Sequence, residues 1–144
     1  MNNTLAPILY AEDNENDIEL TLAAFQLNGI KNPLIVVRDG QEVLDYLNYK
    51  GQFAERNVEH PVVILLDIKM PKVTGIEALA QIKSNEELKM IPVVMLTSSA
   101  MERDLVMSYE LGVNAYIIKP IDFNEYKETV ESIGSFWVLR NKTI

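Results

Sequence analysis

Short apolar runs alternate along the chain with longer stretches in which apolar residues recur every three or four positions. The runs at 7–12 (PILYAE), 34–37 (LIVV), 62–66 (VVILL), 91–97 (IPVVMLT) and 115–119 (AYIIK) are short, β-branched and bounded by turn residues, which predicts five strands. The helical period predicts helices near 15–28, 40–50, 74–85, 101–111 and 122–140. In the first, Ile18, Leu22 and Phe25 share a stripe that Asn28-Gly29 ends. In the last, Phe123, Tyr126, Val130, Ile133 and Trp137 follow steps of three and four behind an N-cap at Asp122.

Five β–α units with strands apolar on both faces predict an α/β protein, a parallel sheet covered by helices on each side. The right-handed crossover rule leaves few topologies, of which a doubly wound five-stranded sheet in the order 2-1-3-4-5 is the one expected. Repeats and interdomain linkers are absent, so residues 1–144 read as one domain with a core of about 5–135 and no output domain. Two additions to that core are expected: a polar insertion at 51–60 (GQFAERNVEH), read as a solvated loop, and an extension of the last helix.

Composition changes this picture in three places. There is no cysteine, which excludes disulfides, a thiolate nucleophile and thiolate metal sites. No apolar stretch approaches the roughly 20 residues of a membrane span, and the start MNNTLAP lacks a signal peptide's basic end, so the expected location is the cytoplasm, off the membrane. The net charge of −8 disfavours direct contact with nucleic acid and suits a divalent cation or a basic protein patch.

The candidate chemistry lies at strand ends. In an open α/β sheet, ligands bind beyond the carboxyl ends of the strands, where the strand order reverses. Here that point falls between the first strand, ending in Glu12-Asp13, and the third, ending in Asp67. Three acids gathered there repel one another unless one is protonated or a cation sits among them, and hard oxygen ligands with room for water suit Mg²⁺. Thr97 and Lys119 end the fourth and fifth strands at the same rim. A divalent cation, a lysine and a hydroxyl around one carboxylate are what phosphoryl transfer to Asp67 requires.

The fragments ILYAEDNEND, LLDIKMPKVTG, VVMLTSSA and AYIIKPID occur in that order over nearly the whole chain. Together they resemble the receiver domain of two-component response regulators. The resemblance implies a flavodoxin-like (βα)5 fold and a phosphoacceptor, Asp67, that takes its phosphoryl group from a sensor histidine kinase in a Mg²⁺-dependent reaction. It implies that Asp13, Asp67 and the main-chain carbonyl of Lys69 hold the cation, with Glu12 acting directly or through water. Lys119 would pair with the phosphoryl oxygens, Thr97 and Tyr116 would form the switch pair, and the Lys119-Pro120 bond would be cis. Pro71 and Gly75 match the turn after the acceptor strand. Such a protein is a phosphorelay signalling component, with no enzymatic activity beyond promoting its own phosphotransfer and dephosphorylation. The polar insertion and the aromatic extension SFWVLRN resemble the stand-alone receivers paired with bacterial phytochromes.

Several residues carry lesser expectations. Ser98 is placed to touch the phosphoryl group, and Ser99 to tune access of water. The Lys69 side chain either crowds the acceptor or points outward. His60, alone in its kind and in the insertion, is expected in solvent. Phe136 and Trp137 are expected to pack, with a homodimer contact as the alternative. The fourth helix, fifth strand and fifth helix, with Arg103, Tyr109 and Glu110, form the face where the family signals to a downstream protein. An aspartyl-nucleophile phosphatase of the haloacid dehalogenase type would want a second acid where Lys69 stands, and a flavin carrier would find EDNEND repelling its phosphate.

Overall fold

The computed structural model describes residues 5–97, 112–113, 115–118 and 123–134. Its elements are β1 (Ile8–Ala11), α1 (Glu15–Leu27), β2 (Leu34–Val37), α2 (Gly40–Leu47), a 3-10 turn (Gly51–Phe53), β3 (Val63–Asp67), α3 (Gly75–Ser84), β4 (Val93–Thr97), β5 (Ala115–Ile118) and α4 (Phe123–Ile133). The strands form one parallel sheet in the order β2-β1-β3-β4-β5, as the sequence predicts. The helix expected over 101–111, the Asp122 cap, and Phe136 and Trp137 lie outside the described residues.

Alternation along each strand divides the apolar runs between two cores. Leu9 and Ala11 of β1, Ile64 and Leu66 of β3, and Val93 and Met95 of β4 pack with α2 and α3. Ile8 and Tyr10, Val63 and Leu65, and Val94 and Leu96 pack with α1 and α4. The unbroken run Val62–Leu66 is therefore two half-runs, one for each helical layer. The rigidity this gives β3 fixes the position of the residue at its tip.

The stripe predicted for α4 is observed, with Tyr126, Val130 and Ile133 buried and Phe123 half-buried. That of α1 is shifted. Leu22 is 43% exposed, and Thr21 is buried in its place beside Ile18, Ala24 and Phe25. The cause is polar. The Thr21 hydroxyl bonds the Tyr10 phenol at 2.9 Å and also the Tyr126 phenol, so this interface demands a hydroxyl that leucine lacks. Asn28 adds a second tie between these helices, its amide donating to the carbonyls of Ala24 (2.9 Å) and Lys127 (3.0 Å).

Helix α2 ends at Leu47, short of the predicted residue 50, because Asn48 caps it and Tyr49 turns left-handed at φ 58°. The insertion is anchored as well as solvated. The Arg56 guanidinium stacks 3.8 Å from the Tyr46 ring centre and 4.0 Å from that of Tyr49. Its Nε donates to the Tyr46 carbonyl (2.8 Å) and Nη1 to those of Asn57 (2.9 Å) and Glu59 (3.1 Å). Phe53 meets Tyr46 edge to face. Val58 and His60 face solvent.

Candidate functional site

Strand register sets the rim of the site. Ala11 pairs with Leu66 and Asp67 with Leu96, so Glu12 and Thr97 each stand one position past the last residue paired with β3. The Glu12 amide extends the ladder by donating to the Val37 carbonyl at 2.9 Å, which holds this residue in strand geometry. Asn14 then caps α1, its side chain accepting from the Asp17 amide at 3.0 Å while its own amide donates to Glu12 Oε2 at 3.3 Å. The chain thus turns sharply from strand to helix and leaves Asp13 facing outward.

One carboxylate oxygen from each of Glu12, Asp13 and Asp67 lies within 4.8 Å of the other two. Glu12 and Asp67 are buried, Asp13 exposed. Two charges at that separation repel by on the order of 3 kcal/mol at an effective dielectric of about 20, a cost that solvent around Asp13 reduces. A hard divalent ion offsets it. Ligands at 2.0–2.1 Å in octahedral geometry lie about 3 Å apart when adjacent and about 4.2 Å when opposite, close to the observed spread. The donor set, all oxygen and open to water through Asp13, fits such an ion.

The segment after Asp67 is shaped by a glycine. The Gly75 amide donates to the Ile68 carbonyl at 2.9 Å, and a Cβ on Gly75 would stand 2.1 Å from the Asp67 carbonyl oxygen. Only glycine lets α3 begin directly behind the third acid. Thr74 caps that helix in a reciprocal pair with Glu77: the Glu77 amide donates to Thr74 Oγ1 (3.2 Å) and the Thr74 amide to Glu77 Oε1 (2.9 Å). Those bonds from Thr74 hold the Glu77 carboxyl below its usual pKa. An open cleft of about 500 Å³ lies beside the acids, bounded by Asp13, Lys69, Met70, Pro71 and Ile76 among others. The Lys69 side chain is exposed at the edge of this cleft.

Below the acids, burial among apolar side chains, with help from the neighbouring Tyr126 and Glu12, raises the pKa of the Tyr10 phenol far above its ordinary value. It remains a neutral hydrogen-bonding group under the site. Thr97 is fully buried at the end of β4. Tyr116 occupies β5 opposite Met95, and Ile118 stands opposite Thr97. Ser98, Lys119 and Pro120 lie outside the described residues. The structure thus brings Glu12, Asp13 and Asp67 together and sets Thr97 beside them on the next strand. Sequence reasoning missed Asn14, Thr74 and Glu77; the spacing Thr-x-x-Glu before an apolar run is a legible capping signature.

A parallel sheet ordered 2-1-3-4-5 with three acids converging at its reversal point defines a receiver domain, and this chain belongs to the response regulator receiver domain family, whose profile matches residues 8–131. Among curated relatives, the probable methanogenesis regulatory protein FilR2 of Methanothrix harundinacea is 42% identical over 94% of this chain and 86% of its own length. Response regulator Rcp1 of Synechocystis is 40% identical over 91% and 88%. Within the family, the solved structures point to the phytochrome-associated members. The bacteriophytochrome response regulator RtBRR is 52% identical, with a TM-score of 0.83 over 93% of this chain and 81% of its own. The phosphorylated cyanobacterial phytochrome response regulator RcpA is 40% identical at 0.83, covering 93% and 94%, and Mn²⁺-bound Rcp1 is 40% identical at 0.81, covering 92% and 94%.

Proposed function

We propose that this chain is a Mg²⁺-dependent phosphoacceptor switch in which Asp67 takes a phosphoryl group from a phosphohistidine of a sensor histidine kinase. The observation that carries the reading is the convergence of the Glu12, Asp13 and Asp67 oxygens within 4.8 Å at the point where strand order reverses. Membership of a family with phosphorylated and metal-bound members supports it.

In the transfer, an Asp67 oxygen attacks phosphorus in line. The new O–P bond forms as the N–P bond to imidazole breaks, and the bonding pair returns to the imidazole nitrogen. Glu12, Asp13, Asp67 and the Lys69 carbonyl would hold the ion, which supplies charge neutralisation for the phosphoryl oxygens when bound. Lys119, Thr97 and Ser98 would complete their coordination. Rigid anchoring of β3 keeps the attacking carboxylate oriented, so little ordering remains for the reaction itself. The added charge of about −1.5 to −2 then shifts the Thr97–Tyr116 pair and the face formed by β5, α4 and the segment before β5. With a net charge of −8, output runs through protein contact or phosphoryl relay in the cytoplasm rather than through DNA. Likeness to RtBRR, RcpA and Rcp1 favours a phytochrome-type kinase as donor.

The test is incubation with acetyl phosphate and Mg²⁺, read by intact-protein mass and by beryllofluoride-induced spectral change. We expect labelling of the parent and none in Asp67→Asn. Labelling of Asp67→Asn to the parent's level, or an unresponsive parent, refutes the reading.

A further inference from the structure

The segment 68–74 is held by more than its own ends. Its far limb, Lys72-Val73, rests on the junction of β2 and α2. A Cβ on Gly40 would lie 2.0 Å from the Val73 carbonyl oxygen and 2.6 Å from its carbon, so the backbone of one loop sits directly on the Cα of the other. Beside it, Asp39 divides its buried carboxylate between two tasks. Oδ1 caps α2 by accepting from the Glu42 amide at 2.8 Å, and Oδ2 faces Lys72 Nζ at 3.6 Å. Lys72 itself is left-handed at φ 64°, a conformation that a side chain resists without outside support. The near limb is fixed by Gly75 on Asp67 and Ile68. Between these two anchorages lies Lys69.

We propose that the Asp39–Gly40 corner is a positioning element for the cation site: without offering a ligand, it sets where the Lys69 carbonyl lies and so how tightly a divalent ion binds. This rests on the ligand set proposed above and adds a residue pair that touches none of the three carboxylates' roles. Any side chain at position 40 must move the Val73 carbonyl by about 1.4 Å or more to restore ordinary contact, and backbone cannot yield as a flexible side chain does. Outer-shell groups bonded directly to a ligand shift metal affinity by about 10–100-fold when lost, and displacing the loop that carries the Lys69 carbonyl is expected to act at the lower end of that range.

The experiment titrates Mn²⁺ alone into the full chain by water-proton relaxation, with amide hydrogen exchange over 69–73 and thermal melting in parallel. G40A should weaken Mn²⁺ by about tenfold or more and speed exchange at those amides. D39N keeps an oxygen for the cap but removes the charge facing exposed Lys72, and should cost no more than about threefold. G134A is the control: its Cβ would meet only the movable end of the Ile30 side chain, at 2.9 Å, so it should leave Mn²⁺ affinity unchanged. If G40A does not fold, V73G keeps the backbone contact but removes the Val73 side chain and loosens the loop resting on Gly40, and should show a smaller loss of the same kind together with faster exchange over 69–73. Mn²⁺ affinity of folded G40A within about twofold of the parent overturns the proposal, as does an equal loss in G134A. A parent that binds no Mn²⁺, or an Asp13→Asn variant that binds as well as the parent, overturns the underlying ligand assignment together with this one.

Discussion

Replacing Thr21 by valine tests whether the packing between α1 and α4 is held by its hydroxyls rather than by apolar area. The side chains are nearly isosteric and Thr21 is fully buried, so the change leaves no cavity, and the methyl that replaces Oγ1, 2.9 Å from the Tyr10 oxygen, pushes both phenols back to van der Waals distance. It removes the bridge between the Tyr10 and Tyr126 phenols. The Asp17 carbonyl, 3.5 Å from the Tyr10 oxygen, is too far to take over that bond at full strength. Two buried hydrogen bonds lost at about 1–2 kcal/mol each give a destabilisation of about 2–4 kcal/mol. For 144 residues the unfolding entropy is about 0.3 kcal/mol per kelvin, so the melting temperature should fall by about 7–13 °C. The companion change Leu22→Gln, at the position that sequence periodicity assigns to the core, should stay within about 0.5 kcal/mol of the parent because that residue is 43% exposed. Urea unfolding followed by circular dichroism measures both. A Thr21→Val protein as stable as the parent, or a Leu22→Gln protein that loses more than Thr21→Val, refutes the reasoning.

Two further outcomes follow from the same structure. Burial raises the Tyr10 pKa above its ordinary 10.0, so the unfolded chain releases that proton at a pH where the folded chain still holds it. The corresponding stability is complete below about pH 10 and falls as pH rises further, by up to about 1.4 kcal/mol per pH unit; denaturation curves should show this slope, and Tyr10→Phe should flatten it. Arg56→Met removes the cation stacked on Tyr46 and Tyr49 and its bonds to three carbonyls, and should cost about 1–3 kcal/mol. It should open Glu55 and Glu59 to a glutamate-specific protease, and unchanged cleavage rates would exclude the clamp.

Strand order and the acid cluster were legible because each depends on a pattern of two or three residue types. Short β-branched apolar runs flanked by turn residues read as buried strands, and a doubly wound order then carries Glu12-Asp13 and Asp67 to one place. What escaped was decided by partners distant in sequence. Nothing local to Thr21 announces that two tyrosines, one of them 105 residues away, will present hydroxyls to it. The anchoring of 51–60 depends on Arg56 reaching back to the Tyr46 ring on α2 and the Tyr49 ring just past its end, so a segment polar in composition is fixed all the same. Gly40 reads locally as an ordinary residue after a cap. Its role emerges only when Val73 arrives from another part of the chain.

The insertion joins the chain at the start of β3, whereas Asp67 closes that strand, about 13 Å away along five residues of extended chain. Solvent-facing Val58 lies within it. Evolution, or an engineer, can therefore splice a peptide tag, a fluorophore or a whole reporter module into that pole without disturbing the reactive one. A sensor built this way would report phosphorylation by an added partner while its chemistry ran at the opposite tip.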